Sequence, residues 1–181
     1  MKVLQTKFKD VKIFLPNVYH DDRGFFMESF NDKIQNKINI PFLQDNHSKS
    51  KKGVIRGLHY QWDKPMGKLL RVPKGSGVDI ILDIREYSPT YGKWETFYLN
   101  EYNNAILWIP PGFAQGFLAI EEDTHLQYKT TALHNKEAEG AINPLKSGLN
   151  LDWILPDEEI LLSEKDKNAQ TFKDYQLNPK F

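Results

Sequence analysis

Short runs of alternating apolar and polar residues, separated by glycine or proline at intervals of about a dozen positions, constrain the fold of this chain more than any other feature. In Val78–Arg85 every second residue is apolar and, apart from Ile81, the residues between them are charged. Leu126–Thr131 alternates in the same way. Because successive side chains of a strand point to opposite faces, this pattern predicts strands with one face in the core and the polar face in solvent.

The fold class that these strands indicate is all-β, with two antiparallel sheets packed as a jelly roll, that is, a β-sandwich or barrel. Helical signals are few, and we expect only short helices, one near Asn31–Ile38 and one that begins at Ser163. The polar run His47–Gly53 is expected to be a solvated loop or hairpin. No repeat or linker divides the 181 residues, so residues 1–181 are predicted to form one domain.

The composition excludes several functional classes. The 24 Lys and Arg residues are balanced by 24 Asp and Glu residues, whereas binders of nucleic acid or anionic membranes carry a basic excess. The absence of cysteine excludes disulfides and thiolate nucleophiles, and it fits a reducing cytoplasm. No apolar run is long enough to span a bilayer, and the first residues do not form a secretory signal. We expect a cytoplasmic protein with neither a nucleic-acid nor a membrane partner.

One histidine, His59, lies in the apolar and aromatic segment Arg56–Gln61, directly after a glycine and a leucine. The residues alone leave two interpretations open, a hydrogen-bonded core histidine and a functional group. A metal site is not expected, because a second imidazole one or two positions later is missing and the five histidines show no ligand spacing. In the turn Pro110–Phe117, where a further histidine would complete such a site, the chain has Gln115.

Several cations stand in otherwise apolar strands, namely Arg23, Arg56, Lys68 and Arg71. Since Lys and Arg are seldom placed on core strands without an anionic partner, they suggest a polyanionic ligand such as a diphosphate. Farther along the chain, the spacing of Ser163 and Asp166 fits a capping box that opens a helix, and spacing alone favours this role over catalysis.

Five segments, in order, resemble the dTDP-4-dehydrorhamnose 3,5-epimerases of the cupin superfamily: FLQDNHSKSKKGVIRGLHYQ, GKLLRV, VDIILDIREYSPTYGKW, LWIPPGFAQGF and LSEKD. The resemblance extends from about Arg23 to Asp166. It implies a cupin jelly roll, a homodimer, a nucleotide-sugar substrate, and catalysis without a cofactor or metal. It also implies roles for four residues: His59 as base, Asp166 as the acid that orients it, Tyr128 as proton donor, and Lys68 near the keto oxygen of the sugar.

The resemblance further implies a set of residues that bind the nucleotide, the diphosphate or the sugar. These are Arg23, Phe26, Glu28, Gln44, Asn46, Arg56, Gln115, Glu139 and Lys165. Three departures from the family pattern affect this set: Gln115 replaces a histidine, Leu133 and His134 replace a tyrosine pair, and INPLKSGLNLDW replaces a WNDP-like stretch.

The predicted function is epimerisation of a nucleotide-linked 4-keto-6-deoxyhexose at C3 and C5. A 4-keto group acidifies both neighbouring C–H bonds, and histidine, with an unperturbed pKa of about 6.5, suits their deprotonation near neutral pH. The alternatives are inversion at C3 or C5 alone, on a dTDP- or CDP-linked sugar, and a sugar-nucleotide ketoisomerase. A non-catalytic cupin binding module is the alternative from outside the enzymes.

Overall fold

Thirteen strands dominate the computed structural model, which describes residues 1–181. Sheet A, with six antiparallel strands, contains in spatial order β1 (Lys2–Gln5), β2 (Lys12–Leu15), β10 (Ile106–Ile109), β7 (Lys68–Lys74), β12 (Thr124–Thr130) and β5 (Gln44–Ser50). Sheet B, with five, contains β13 (Glu139–Ala141), β6 (Ile55–Gln61), β11 (Phe113–Ala119), β8 (Ser76–Asp83) and β9 (Trp94–Asn100). The prediction of an all-β jelly roll is confirmed.

A separate two-stranded hairpin precedes this sandwich, formed by β3 (Val18–Asp21) and β4 (Gly24–Met27). The α-helices are short: α1 (Asp32–Ile38), α2 (Glu164–Lys167) and α3 (Phe172–Leu177). The two helices expected from the sequence are present, capped by Asn31 and Ser163, and α3 is additional. No helix combines the length and apolar character that a membrane crossing requires.

The inner faces of the two sheets share an apolar core. Leu70 and Leu126 of sheet A pack in one cluster with Ile81, Phe113 and Phe117 of sheet B. Burial of this apolar surface is the main force that holds the sheets together. Polar groups also lie between the sheets, since the buried side chains of Asp79 and Gln115 are hydrogen-bonded to each other there.

Strand β8 corrects the expectation of an apolar inner face and a polar outer face. All its residues are buried, and Asp79 and Asp83 are fully so. The face with Val78 and Ile80 points outward, where Trp153 and other C-terminal side chains cover it. The acidic face therefore points into the sandwich. The alternation assigned residues to the two faces of β8 correctly. The prediction of which face points inward was wrong, because C-terminal side chains cover the apolar outer face.

The run His47–Gly53 is another correction, because most of it lies in strand β5 rather than in a loop or hairpin. Burial alternates along β5, so that Asn46 and Ser48 face inward while His47 and Lys49 face solvent. Its outward polar residues gave the run the composition of a loop, although β12 supplies a complete ladder of antiparallel pairs.

Candidate active site

A cavity of about 310 Å³ opens between the sheets. Strands of both sheets and helix α2 supply its polar lining, which consists of Ser48, Arg56, His59, Lys68, Gln115, Tyr128, Ser163 and Asp166. The four residues to which the resemblance gives catalytic roles, His59, Tyr128, Asp166 and Lys68, are thus brought together in one cavity.

A β-bulge at Gly57 determines which side chains of β6 reach this cavity. Along β11 the partners Gln115 and Phe117 are two residues apart, whereas their partners on β6, His59 and Arg56, are three apart. The extra residue places Arg56 and His59 on the same face, which a regular strand would not do. Gly57 has φ +125°, and a Cβ there would lie 2.5 Å from the carbonyl oxygen of Gln115. Only glycine fits this position without strain.

The imidazole of His59 is held by the carboxylate of Asp166. Its Nε2 lies 2.6 Å from Oδ1 of Asp166, and the hydroxyl of Ser163 donates to Oδ2 at 2.9 Å. The side chain of Asp166 is only 4% exposed. Burial opposes its ionisation, but the hydrogen bonds from His59 and Ser163 outweigh burial and lower the pKa of Asp166. A carboxylate in this position stabilises a histidine that accepts a proton.

Tyr128 faces this pair from the other sheet. Its strand, β12, belongs to sheet A, whereas His59 belongs to sheet B, and both side chains line the cavity between them. Burial raises the pKa of the Tyr128 phenol above its usual value, although the charge of Arg56 opposes the shift. The phenol is therefore protonated at neutral pH. His59 and Tyr128 thus line the cavity from different sheets.

Lys68 projects into the cavity from β7 and belongs to a chain of polar groups. Its Nζ donates to Oε1 of Gln115 at 2.8 Å, and Nε2 of Gln115 donates to Oδ2 of Asp79 at 2.6 Å. Burial lowers the pKa of Lys68 to about 8, with the charges of Asp79 and Glu139 opposing the shift. Near neutral pH Lys68 is largely an ammonium group that can stabilise a developing negative charge.

A smaller cavity of about 40 Å³ adjoins the first, since His59 and Lys68 line both. Glu139 and His134 lie on its wall. Glu139 accepts hydrogen bonds from Lys165 and, at 3.4 Å, from Nε2 of His134. Burial opposes the ionisation of Glu139, but these two hydrogen bonds outweigh it and lower the pKa of Glu139.

Three residues expected to bind substrate lie elsewhere. Arg23, Phe26 and Glu28 belong to the β3–β4 hairpin or directly follow it, and none of them lines either cavity. The side chain of Arg23 is 89% exposed and pairs with Asp21 at 2.6 Å. Glu28 accepts a hydrogen bond from Nδ2 of Asn31. The structure of the single chain does not bring these residues to the site.

The remaining predicted residues are divided between the two faces of sheet A. Gln44 and Asn46 lie on the inward face of β5, where Nε2 of Gln44 donates to Oδ1 of Asn46 at 2.8 Å, and Asn46 is opposite Tyr128. Arg71 lies on the outer face and donates to Gln127 at 3.1 Å. Of the four embedded cations, only Arg56 and Lys68 reach the larger cavity.

Sequence reasoning missed Asp79 and Ser48 as members or neighbours of the site, whereas Leu133 and His134 were expected to line the sugar and base pockets. Ile81 could have indicated that Asp79 faces the interior, because Ile81 shares its face of β8 and an apolar residue does not fit a solvent-facing surface. The signal for Ser48 was the alternation within a polar run that was expected to be a loop. Of the pair Leu133 and His134, only His134 lines a cavity, while Leu133 is 60% exposed.

An antiparallel jelly roll with acid–base side chains inside its cavity defines the protein as a cupin-type enzyme. A family model for dTDP-4-dehydrorhamnose 3,5-epimerase matches residues 5–174. The chain belongs to the dTDP-4-dehydrorhamnose 3,5-epimerase family, as its motifs predicted.

Individual relatives agree with this assignment over nearly the whole chain. A dTDP-4-dehydrorhamnose 3,5-epimerase from Shigella flexneri is 46% identical over 178 residues, covering 96% of this chain and 97% of that protein. The enzyme of that name from Elizabethkingia anophelis has a crystal structure with TM-score 0.90, 40% identity, and coverage of 96% and 97%. A dTDP-6-deoxy-D-glucose-3,5-epimerase from Legionella pneumophila, in complex with dTDP-4-keto-L-rhamnose, has TM-score 0.92, 38% identity, and coverage of 99% and 98%.

Proposed function

We propose that the protein, as a single domain over residues 1–181, inverts C3 and C5 of dTDP-4-keto-6-deoxyglucose and so forms dTDP-4-keto-L-rhamnose, without a cofactor. The observation that carries this proposal is the cavity in which His59, backed by Asp166, faces Tyr128, with Lys68 beside them. The family membership supports the same substrate class.

Each inversion begins with His59 as general base. Its imidazole accepts the proton from the carbon next to the keto group, and the electron pair of the broken C–H bond moves into an enolate whose charge lies on the C4 oxygen. Asp166 stabilises the imidazolium that forms, and its hydrogen bond to Nε2 requires that the base use Nδ1. The hydrogen bond from Ser163 to Asp166 holds the carboxylate for this role.

The enolate needs a positive group already in place. Lys68 supplies it, because its Nζ is anchored by Gln115 and does not have to reorganise during the reaction. A preorganised donor of this kind contributes on the order of 10²- to 10³-fold to such a rate.

Inversion requires that the carbon be reprotonated from the opposite face. Tyr128 stands on the opposite wall and is protonated at neutral pH, and a phenol is a far stronger acid than the C–H bond being formed. It gives its proton to the carbon, and the enolate electrons return to form the new C–H bond. Solvent then returns a proton to Tyr128 and removes the extra proton from His59. Repetition at the second carbon completes the double inversion.

The nucleotide and diphosphate are assigned to the polar rim. Arg56 lines the cavity and is held by Ser50 at 3.1 Å, so its guanidinium is placed for a phosphate. On the adjoining cavity, Glu139 and Lys165 form an ion pair beside His134, and we assign this cluster to the sugar hydroxyls or the nucleoside. Gln44 and Asn46 are assigned to the same ligand, on the inward face of β5.

Isotope exchange tests the proposed function. The protein is incubated with dTDP-4-keto-6-deoxyglucose in deuterated buffer, and the deuterium at each carbon and the configuration of the product are determined by NMR. We expect deuterium at both C3 and C5 together with inversion at both. Deuterium at one carbon would indicate a single-site epimerase instead, and the absence of exchange with any 4-keto nucleotide sugar would refute an epimerase.

We also propose that the active form is a homodimer in which the β3–β4 hairpin of one protomer reaches the cavity of its partner. Two observations support it. Tyr19, Phe25 and Phe26 on the hairpin are more than half exposed, and no strand of either large sheet pairs with it. Its expected substrate residues, Arg23 and Phe26, line no cavity of their own chain. A second copy covers the aromatic surface and uses these residues at once.

Complementation between two inactive variants tests the dimer. His59→Asn removes the base and Arg23→Ala removes the hairpin guanidinium, and the two proteins are co-expressed and isolated as mixed dimers. If the hairpin serves the partner's cavity, one site of each mixed dimer regains both groups, and the isolated mixed dimers should have about half of the wild-type activity. If the hairpin serves its own chain, mixing restores nothing. A monomer in sedimentation analysis would also refute the dimer.

A further inference from the structure

The carboxylate of Asp79 is buried and incompletely hydrogen-bonded. It is 0% exposed, its Oδ2 accepts from Gln115, and its Oδ1 has no partner. Asp83 on the same strand is equally buried, but both its oxygens accept hydrogen bonds, from Arg85, Ser88 and Thr90. A buried carboxylate with one hydrogen bond costs stability rather than providing it. The fold therefore gives no reason for an acid at position 79.

The hydrogen-bonding neighbours of Asp79 supply a reason for an acid at this position. The Oδ2 of Asp79 accepts a hydrogen bond, and the ammonium of Lys68 can only donate one. Gln115 satisfies both only when its Nε2 points to Asp79 and its Oε1 points to Lys68, which is the arrangement at 2.6 and 2.8 Å. The acceptor at position 79 thus fixes the orientation of the amide, and the amide fixes the position of Nζ.

An amide differs from the histidine of the family pattern in one chemical respect. Imidazole can accept a proton on one nitrogen and release one from the other, whereas an amide neither gains nor loses a proton at working pH. Gln115 therefore holds Lys68 and Asp79 at a fixed separation and cannot pass a proton between them.

We propose that Asp79 is a positioning residue for the epimerisation, acting through Gln115 to hold Lys68 in place and to keep it cationic beside the reacting sugar. The inference rests on the proposed function, since it assigns Lys68 to the enolate. The other titratable and charged groups around Lys68 are those of its two cavities, Arg56, His59, Tyr60, Tyr128, Asp166, His134 and Glu139.

The electrostatics agree with this geometry. Burial raises the pKa of Asp79 to about 8, and the hydrogen bond from Gln115 and the charge of Lys68 oppose the shift. As pH rises, Asp79 therefore ionises in the range in which Lys68 would lose its proton. The negative charge that appears raises the pKa of Lys68, so the cation persists to higher pH than it would alone.

Asp79→Asn tests the proposal with two readouts. The first is the titration of Lys68, followed by NMR of ¹³C-labelled lysine and assigned with Lys68→Met. The second is the pH profile of kcat/KM. We expect the Lys68 titration and the alkaline limb of the profile to move together to lower pH, by about one unit, with a fall in kcat at neutral pH and little change in KM. An unchanged titration would overturn the proposal.

A double-mutant cycle tests whether the influence passes through Gln115. Gln115→Leu removes the amide, and we expect Asp79→Asn to lower kcat at pH 9 about tenfold in the wild type but less than about twofold in the Gln115→Leu background. Fully additive losses would show that Asp79 acts by another route and would overturn the proposal. Gln115→His, the family residue, is expected to retain most of kcat, because imidazole can also connect the two groups.

Asp83→Asn is the matched control. It removes a second fully buried acid from the same strand, and we expect it to lower the free energy of unfolding and leave the Lys68 titration in place. Asp79→Asn is expected to raise the free energy of unfolding relative to wild type, increasingly as pH rises from about 4 to about 8, because burial raises the pKa of Asp79 in the folded state. The NMR titration does not depend on activity. If Asp79→Asn shifts the Lys68 titration but the wild-type protein does not epimerise, the proposed function is refuted and the influence of Asp79 on Lys68 stands. If the wild-type protein epimerises but the Lys68 titration does not shift, only the positioning role is refuted.

Discussion

Ser163 and Asp166 exchange two hydrogen bonds: the Ser163 hydroxyl donates to Oδ2 of Asp166 at 2.9 Å and accepts from the Asp166 backbone N–H at 3.1 Å. The second bond caps helix α2. The first occupies one carboxylate oxygen and leaves Oδ1 for His59. The helix cap expected from spacing and the orienting acid expected from the family resemblance are therefore compatible uses of the same pair.

Asp166→Asn is expected to lower kcat by about 10²- to 10⁴-fold, because the amide cannot stabilise the imidazolium of His59. It also removes a carboxylate whose pKa is lowered in the folded state. Such a group stabilises the fold above its unfolded pKa of about 3.9, and this stabilisation is lost as pH falls through the folded value. Denaturant titrations should show wild type more stable than the variant at pH 7 and equal to it at the acid end. A constant difference at all pH values would contradict this explanation.

His59→Asn is expected to abolish epimerisation, with a loss in kcat of at least about 10²- to 10⁴-fold and a folded protein by circular dichroism. The matched control is His125→Asn. His125 lies on the outer face of sheet A, where its side chain is hydrogen-bonded to the exposed His47. We expect the control to keep its activity. Retention of epimerisation by His59→Asn would show that His59 is not the base.

Tyr128→Phe is expected to separate exchange from inversion. His59 still removes the proton and can return one to the same face, so deuterium should enter the recovered substrate. Inversion needs the donor on the other wall and should fall by about 10²-fold or more. NMR of substrate and product in deuterated buffer distinguishes the two. Equal losses of exchange and inversion would mean that Tyr128 is not a donor restricted to one face.

The alkaline limb of the wild-type pH profile is expected near pH 8. Burial lowers the pKa of Lys68 to about 8, and a lysine is charged below its pKa, so the cation that stabilises the enolate is lost as pH rises through this value. Lys68→Met should lower kcat by about 10²- to 10³-fold at neutral pH. It should also remove this limb from the profile of the remaining activity. Persistence of the limb in Lys68→Met would assign it to another group.

Gly57→Ala tests the bulge in β6. A Cβ at position 57 would lie 2.5 Å from the oxygen of Gln115, and the residue has a positive φ. Gly148→Ala is the matched control, because Gly148 also has a positive φ, at +81°, but nothing lies within 4 Å of its added Cβ. We expect the control to lose about 1 kcal/mol in free energy of unfolding and Gly57→Ala to lose about 3 kcal/mol or more. Similar losses of unfolding free energy in the two variants would mean that the close approach of Gln115 to Gly57 does not add to the cost of a side chain at position 57.

Sequence could predict strands such as β8 and β12 from their period-two alternation, and it predicted α1 from the residues themselves, but it took most of the polar run in β5 for a loop. It could not predict the direction in which β8 faces. That direction depends on Trp153 and the C-terminal helices, which cover the outer face and send Asp79 inward. It also missed the shared face of Arg56 and His59, because a three-residue spacing indicates opposite faces unless a bulge is known.

The catalytic roles came from the resemblance rather than from pattern. Nothing local links His59 with Asp166, which are 107 positions apart and meet only when α2 packs against β6. The same limit applies to Lys68 and Gln115, since neighbouring positions in a sandwich come from strands distant in sequence. The positions of Arg23, Phe26 and Glu28 could not be anticipated either, because a match to a motif does not say whether a residue lines the cavity of its own chain.

The groups around the cavity are drawn from segments that begin at Ser48 and end at Asp166. A chain still emerging from the ribosome, or one cut before its last helices, therefore has the imidazole without the carboxylate that steadies it. Such a chain lacks part of the proposed acid–base machinery, and activity is expected only after the tertiary structure has formed. Recovery of turnover after denaturation should accordingly report the last step of folding, in a topology whose distant strand pairings make that step slow.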